Sequence, residues 1–488
     1  MKLLGFSINR SKPGRKTRRA VRGFDAAKAD RLFAGWATTG DDVDTDIANG
    51  LSQLRARSRD QFLNNDFARR YVEMVRANIV GPNGVVFQSA ALDSNGNIDR
   101  QDSDAIEKAF NDWARAEHCD LEERTCWKEK QRQAAGTAAI DGEILARTYT
   151  GPSYGKYGFM VQHLDAALLN EEYNKNLAGG NFIRMGIEYD QRKRAVAYHL
   201  LVGSNAAADS INAGKRYRRI PANQIIHTFD PIQTGQSRGY PWMATGLGSL
   251  KMLDAYFEAA LTAARAGASK MGFIQSADGA AFSGDDVDDD GSVISDFEAG
   301  IIEQLPEGMT FNPFDPKYPH ELFENFTKVF LQRFASGGGV SYSGVSGNLE
   351  GVNFSSIRAG VLEEREMCKI RQEWFIEGYC RPIFERWLTA ALLGGHITVQ
   401  GRPLPADKEE KFRRATWQAR RWAWVDPSKD TNSRVTQIEN NLTTVSAVIR
   451  EQGQDPDEVF QERSKELARM KELGLTDEEV IENGQATE

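Results

Sequence analysis

Two hydrophobic periods alternate along this chain, and the order in which they alternate restricts its fold more than any other feature. Over residues 44–80, Ile47, Leu51, Leu54, Phe62, Tyr71, Val75 and Ile79 recur at helical spacing, and Gly81-Pro82-Asn83-Gly84 ends the pattern. Asp44, Thr45 or Asp46 can cap its start. Further helical patterns follow at 103–116 and 122–135. The period then shortens: EILARTYTG, FMVQHLDA, FIRMGIEYD, AVAYHLLV and QIIHTF, all within residues 142–229, read as short strands separated by Gly, Pro, Asn and charged turns. Tyr189-Asp190-Gln191-Arg192 reads as a hairpin connection. Helices grouped before and after a run of strands predict an α+β protein with a mixed antiparallel module.

The helical period resumes over 247–270, striped by Leu247, Leu250, Phe257, Leu261 and Ala268 and rich in Ala. Residues 271–316 then hold eleven acids and no Lys or Arg, an acidic excursion with Gly and Pro punctuation. Another helix is expected over 319–334. Between 336 and 360 stand seven of the chain's 44 glycines, immediately before a long helical pattern over 355–393. Such glycine density predicts a segment that bends sharply or moves. Pro382 is expected to kink the long helix. Beyond it, Asp455-Pro456-Asp457-Glu458 reads as a helix start and Thr476-Asp477-Glu478-Glu479 as a capping box.

A chain of 488 residues with 27% charged side chains can bury a large core. No apolar run approaches the roughly 20 residues of a membrane helix, and residues 1–8 are too short for a signal-peptide core, so neither membrane insertion nor export is expected. The net charge of −8 is unevenly placed: residues 1–22 carry eight basic groups and no acid, leaving 53 basic against 69 acidic groups in the rest. A basic arm thus precedes an acidic body, which argues against a folded surface that grips DNA through many phosphates. Cys119, Cys126, Cys368 and Cys380 lack paired metal-site spacing and read as reduced residues; Cys368 and Cys380 lie too far apart along one helix to bond.

Motifs for catalysis fail on inspection. Asp286-Val287-Asp288-Asp289-Asp290-Gly291 opens like a calcium loop, but its twelfth position is Phe297, so a solvated acidic loop is expected. Gly151-Pro152-Ser153-Tyr154-Gly155-Lys156 is one residue short of a phosphate loop, and Tyr157 replaces the needed hydroxyl residue. His118, His163, His199, His227, His320 and His396 are dispersed and read as structural or surface groups. Trp417, Trp422 and Trp424, interleaved with Arg413, Arg414, Arg420 and Arg421, read as an aromatic core edge with stacked arginines or as a subunit interface, with base stacking as the other reading. The residues predict no enzyme, no cofactor and no metal.

Seven segments, RSRDQFLNNDFARRYVEMVRANIVGPNG (58–84), DGEILARTY (141–149), MGIEYDQRKRAVAYHL (185–200), IPANQIIHTFDPIQTGQSRGYPWM (220–243), NLEGVNFSSIRAGVLE (348–363), CRPIFERWL (380–388) and WVDPSKD (424–430), together resemble the lambda-type family of tailed-phage portal proteins. Each alone is weak; their shared order is specific. The resemblance implies a homo-oligomeric ring, typically of twelve subunits, at one capsid vertex of the virion, with assembly in the host cytoplasm. Double-stranded DNA would pass through it, and terminase, head–tail connector, major capsid and scaffold proteins would be its partners. It further implies a basic arm (1–45), a wing (46–246), stem helices (247–272 and 318–335), an acidic clip (273–317), a tunnel loop (336–354), a long wing helix (355–395) and a C-terminal wing and crown (396–488). Under that reading Gly337, Gly338, Gly339, Ser341, Tyr342, Ser343 and Asn348 are tunnel-loop candidates, and Arg265, Lys270, Lys328 and Arg333 are stem candidates facing the channel. A scaffold or shell protein and a DNA-processing hydrolase with unrecognised motifs are the alternatives.

Overall fold

The structure, a computed structural model, describes residues 42–202, 216–268, 272–276, 286–287, 293–294, 309–313, 323–350, 354–422, 427–451, 454 and 456–473. The basic arm, Lys270, His320, Trp424 and the capping box at 476–479 lie outside the described residues.

The first expected helix is two. Helix α1 (Val43–Asn64) and α2 (Asp66–Ile79) are separated by Asn65, whose backbone is extended at φ −120°, ψ 124° and whose side chain accepts the Ala68 N–H. An Asn that caps the second helix is a better use of its amide than an interior helical position. The buried face of α1 is also unexpected: Arg55, Ser58 and Gln61 line it, while Leu54 and Phe62 stay partly exposed. Helix α2 ends as expected, with Gly81 and Gly84 at positive φ.

Strand β1 (Val86–Ser89), helix α3 (Arg100–Trp113), the single turn α4 (Ala116–Cys119) and α5 (Trp127–Asp141) precede the strand module. Strands β2 (Glu143–Thr150) and β3 (Phe159–Leu164) form the hairpin whose turn carries Gly151 to Lys156; Lys156 is paired with Asp112 at 2.6 Å. Then come β4 (Lys175–Asn176), β5 (Phe182–Arg184), β6 (Ile187–Tyr189), β7 (Ala195–Leu201), β8 (Tyr217–Pro221) and β9 (Ile225–Phe229). Two antiparallel sheets result, ordered β3-β2-β9 and β4-β5-β6-β7-β8. FIRMGIEYD, expected as one strand, folds back at Met185-Gly186 into β5 and β6. The charged Tyr217-Arg218-Arg219 run hides β8, whose Arg219 holds the buried Glu188 at 2.7 Å.

Helix α6 (Leu247–Ala268) leads out of this body and β10 (Gly272–Ser276) extends it. The short pair β11 (Asp286–Val287) and β12 (Val293–Ile294) follows, and β13 (Met309–Pro313) returns antiparallel to β10. Helix α7 (Phe323–Gly338) packs back along α6 through Tyr256 against Phe326, with ring centres 4.6 Å apart. After the turn α8 (Tyr342–Ser346), the long helix begins as α9 (Phe354–Phe375), passes through a π-helical turn at Ile376–Cys380, and continues as α10 (Arg381–Leu393). The interruption therefore precedes Pro382, whose missing N–H leaves the Gly378 carbonyl free to accept from Thr228 Oγ1. The hairpin β14 (Thr398–Val399) and β15 (Arg402–Pro403), the turn α11 (Glu409–Phe412), β16 (Ala415–Gln418), and helices α12 (Pro427–Glu439), α13 (Val445–Glu451) and α14 (Pro456–Glu472) complete the chain.

Among the described residues the largest apolar cluster joins the helices to β2, β3 and β9, and a second, between the two sheets, is built from Leu145, Ile187, Tyr198, Leu200, Ile220 and Ile225. Trp113, Phe110, Trp387 and Phe384 are all buried and meet edge to face or tilted at 5.0–6.1 Å. Trp417 closes the cluster against Phe87 at 5.4 Å, because β16 pairs with β1. Trp422 lies under Arg365 and Arg420. The tryptophan–arginine stretch is thus a core edge with stacked arginines.

Candidate functional site

The glycine-rich segment is more tightly built than its composition suggests. Gly337 and Gly338 belong to the last turn of α7. A Cβ on Gly338 would stand 2.7 Å from Cε2 of the buried Tyr71, and one on Gly344 would stand 2.5 Å from Cε of Met74. These glycines serve close approach to α2. The Gly338 carbonyl accepts from Tyr71 Oη at 3.2 Å and Arg371 Nη2 at 3.1 Å. Gly339 turns the chain at φ 67°.

Ser341 then caps α8, its Oγ accepting from the Gly344 N–H at 3.1 Å, while its own N–H donates to Glu364 at 3.3 Å. Arg70 Nε donates to the Gly344 carbonyl at 2.5 Å, and Val345 is fully buried. Tyr342, Ser343 and Asn348 are half-buried. Asn348 Oδ1 accepts the Glu350 N–H at 2.7 Å. Ser336 and Gly337 are exposed at the end of α7, and beyond the triple glycine the described residues that reach solvent are Gly347, Leu349 and Glu350. Of the stem candidates, Arg265 on α6 and Lys328 and Arg333 on α7 are exposed.

Behind this segment the α6–α7 pair is anchored. Phe334 of α7 meets Tyr71 edge to face at 5.7 Å, and Gly246, at the root of α6, leaves no room for a Cβ beside the Phe334 ring. Deeper still lies a charged cluster that sequence reading missed. Glu143, at the start of β2, receives Arg238 Nε at 2.8 Å and Nη2 at 2.5 Å, Arg55 Nη2 at 3.0 Å and His227 Nε2 at 2.9 Å. Arg238 also donates to the carbonyls of Leu169, Met185 and Ala166. Both Glu143 and Arg238 are completely buried. Burial alone would raise the Glu143 pKa, but the Arg238 charge and the hydrogen bonds from Arg238 and His227 outweigh it, holding the carboxyl well below the usual range. The cluster ties α1, both sheets and the 230–246 connection together. The available signal was an isolated Glu at the head of an apolar strand, DGEILARTY, which cannot be buried unpaired.

A second buried pair joins Lys130 Nζ and Asp120 Oδ1 at 2.7 Å, with Thr125 donating twice to the same carboxylate. Nearby, His163 Nε2 meets Tyr379 Oη at 2.5 Å on the π-helical turn, whose Gly378 carbonyl accepts from Thr228. These groups satisfy one another and leave no poised nucleophile. Among the described residues, no cluster of three or more His, Cys, Asp or Glu side chains is arranged to hold a metal.

Residues 29–372 match the family model described as phage portal protein, lambda family. The chain belongs to that family. The portal chain is 34% identical over 472 residues to a probable portal protein of Halomonas phage phiHAP-1, covering 95% of this chain and 90% of that one. It is 22% identical to the portal protein of Escherichia phage N15 and 21% identical to portal protein B of Escherichia phage lambda, each match covering 90% of this chain and 88% of the relative. Among solved structures it is similar to a chain in the virion of a native gene transfer agent particle (12% identity, TM-score 0.44, 83% of this chain and 94% of that) and to one in the neck of the native particle computed with C12 symmetry (13%, 0.40, 87% and 99%). As a portal protein it is a structural component of the capsid vertex, not an enzyme, and its helices and antiparallel sheets make it the α+β protein expected.

Proposed function

We propose that copies of this chain, twelve in the complete ring, close around a channel through which double-stranded DNA enters and leaves the phage head. The observation that carries this reading is the two-helix arm. Among the described residues helices α6 and α7 pack on one another and on the body at their roots, yet Met252 (69% exposed), Leu261 (52%), Val329 (59%) and Phe326 (41%) face outward. An arm with apolar residues on its outer faces is stable when neighbouring copies cover it, each such side chain contributing up to about 1.5–3 kcal/mol on full burial. A repeated head-to-tail contact whose rotation closes yields a ring.

Within this scheme α6 and α7 are the stem and residues 273–317 the clip that meets terminase and then head–tail connector proteins. Residues 46–246 with the long helix form the wing against capsid and scaffold proteins, and 396–488 the C-terminal wing and crown. Subunits gather in the host cytoplasm before joining the shell. The tunnel loop is 336–354, and its exposed tip residues Gly347, Leu349 and Glu350 meet DNA. An apolar Leu349 and an anionic Glu350 there give phosphates nothing to grip, which suits a passage that must not hold its cargo. Force comes from the motor that docks on the ring.

Electron microscopy and mass photometry of the purified chain test the ring directly. Rings are expected for the native sequence, and Met252→Glu with Val329→Glu should leave folded, unassembled subunits. Only monomers and dimers of the native chain across assembly conditions, or undiminished rings from the double variant, would sink the proposal.

A further inference from the structure

Three arginines converge on a cleft of about 630 Å³ between α2, the N-terminal half of α5 and the segment after β16, and nothing in the portal assignment accounts for them. Arg132 makes no hydrogen bond or ion pair among the described residues, and its Nε is buried without a partner. Arg76 gives Nη1 to Glu73 at 2.8 Å, but its Nε is also buried and unpartnered. Arg420 spends Nη1 on neutral acceptors, the Ala77 carbonyl at 2.6 Å and Asn78 Oδ1 at 3.0 Å. Gln133 directs its Oε1 to His163 at 3.0 Å. The two carboxylates of the cleft are already engaged, Glu73 by Arg76 and Glu129 by the Cys126 N–H at 3.0 Å. The cleft is therefore rich in donors, poor in acceptors and positive by one charge, in a chain whose net charge is −8. Guanidinium donors withdrawn from water are costly until an oxyanion meets them.

We infer that this cleft receives an Asp or Glu carboxylate from a neighbouring copy of the chain, locking adjacent subunits; the inference rests on the ring proposed above. A single carboxylate matches the surplus of one charge and the fork geometry of arginine. Duplex DNA fits less well: it presents one phosphate per roughly 1.7 Å of axis, and those flanking the docked one would confront Glu73 and Glu129. Acidic side chains are abundant on the other copies, 69 per chain.

Arg132→Lys keeps the charge and turns the site into a reporter. In the full-length variant assembled into rings, a zero-length carbodiimide should join the new amine to an activated carboxylate as an amide, releasing the activator as its urea. Mass spectrometry of a mixture of isotopically light and heavy subunits should then find a peptide pair joining two copies, present in rings and absent from unassembled subunits. Arg132→Ala should raise the subunit concentration for half-assembly about tenfold, the loss of one charge-assisted contact. Rings seen by microscopy that give only intrachain adducts to Glu73 or Glu129, or none, overturn the inference and leave the ring standing. Absence of rings overturns both. If Arg132→Ala leaves assembly unchanged and instead weakens binding of a 30-base-pair duplex, the cleft holds phosphate and the inference fails.

Discussion

Replacing Gly338 by Ala isolates what the glycine-rich segment is built for. If the segment needs glycine for mobility, the methyl group should cost little in the isolated subunit, since Gly338 lies in a helix and Ala gains up to about 1 kcal/mol there. The geometry demands the opposite sign. The new Cβ would stand 2.7 Å from Cε2 of Tyr71, a ring with no solvent exposure that is held by its edge contact with Phe334 and by its own hydrogen bond to the Gly338 carbonyl. Overpacking of this kind costs about 1–3 kcal/mol; a 2.7 Å approach to a fully buried ring belongs in the upper half of that range, so a net destabilisation of about 1–2 kcal/mol is expected after the propensity gain. Urea unfolding of the unassembled subunit measures it. A double-mutant cycle sharpens the test: in a Tyr71→Ala background the obstacle is gone, and Gly338→Ala should become neutral or stabilising. Gly339→Ala is the contrast, losing about 1 kcal/mol in either background because its cost arises from φ 67°. A neutral Gly338→Ala in the native background would refute close packing as the reason for this glycine. The same numbers show that replacing Gly337, Gly338 and Gly339 together cannot test loop mobility, because a packaging defect would follow from the displaced α2 contact alone.

Two further perturbations probe the body that carries the arm. Glu143→Gln leaves Arg55 and Arg238 buried without their counter-charge and should cost about 3–5 kcal/mol, read as a lower urea midpoint; a loss below about 1 kcal/mol would mean the cluster does not hold the sheets together. For His163, burial and the Lys130 charge push the pKa down to about 3, so the folded state keeps the ring neutral while the unfolded chain protonates it near 6.5. The stabilisation is present above pH 6.5 and declines as pH falls toward 3. Complete burial would give about 2 kcal/mol between neutral pH and pH 5, and the partly exposed ring edge reduces this to about 1 kcal/mol. His163→Gln should flatten that slope between pH 7 and 5; an unchanged slope would show that His163 does not titrate on unfolding.

Legibility in the sequence followed the reach of the interactions involved. Periodicity located β2, β3, β7, β9, α6 and α10 because each carries a local apolar pattern that the fold buries, on one face for α6 and on both faces for β2 and β7. It merged α1 with α2 because Asn65 interrupts the helix with no Gly or Pro, through a side-chain cap only three residues in reach. The polar buried face of α1 was invisible for a different reason. Arg55 earns its place from Glu143, 88 residues away, and Glu143 from Arg238, 95 residues further, so no window of sequence contains the reason for any of them.

The glycine cluster shows the same limit from the other side. Composition marks where backbone is permitted to be unusual, but permission has two uses, freedom and proximity. Gly338 and Gly344 use it for proximity, each occupying the space a methyl group would need beside Tyr71 or Met74, while Gly347, with nothing within 4 Å of its would-be Cβ and φ 72°, has it for conformation alone. In the proposed ring, a loop that stays ordered at its root and yields at its tip would use that division. It follows that DNA passage should be far more sensitive to Leu349→Lys, an exposed tip position whose replacement leaves every buried contact and the Gly347 turn in place, than subunit stability is, and that Gly338→Ala should show the reverse. If both variants alter stability and genome packaging in equal proportion, root and tip are not separate, and the segment acts as one packed unit.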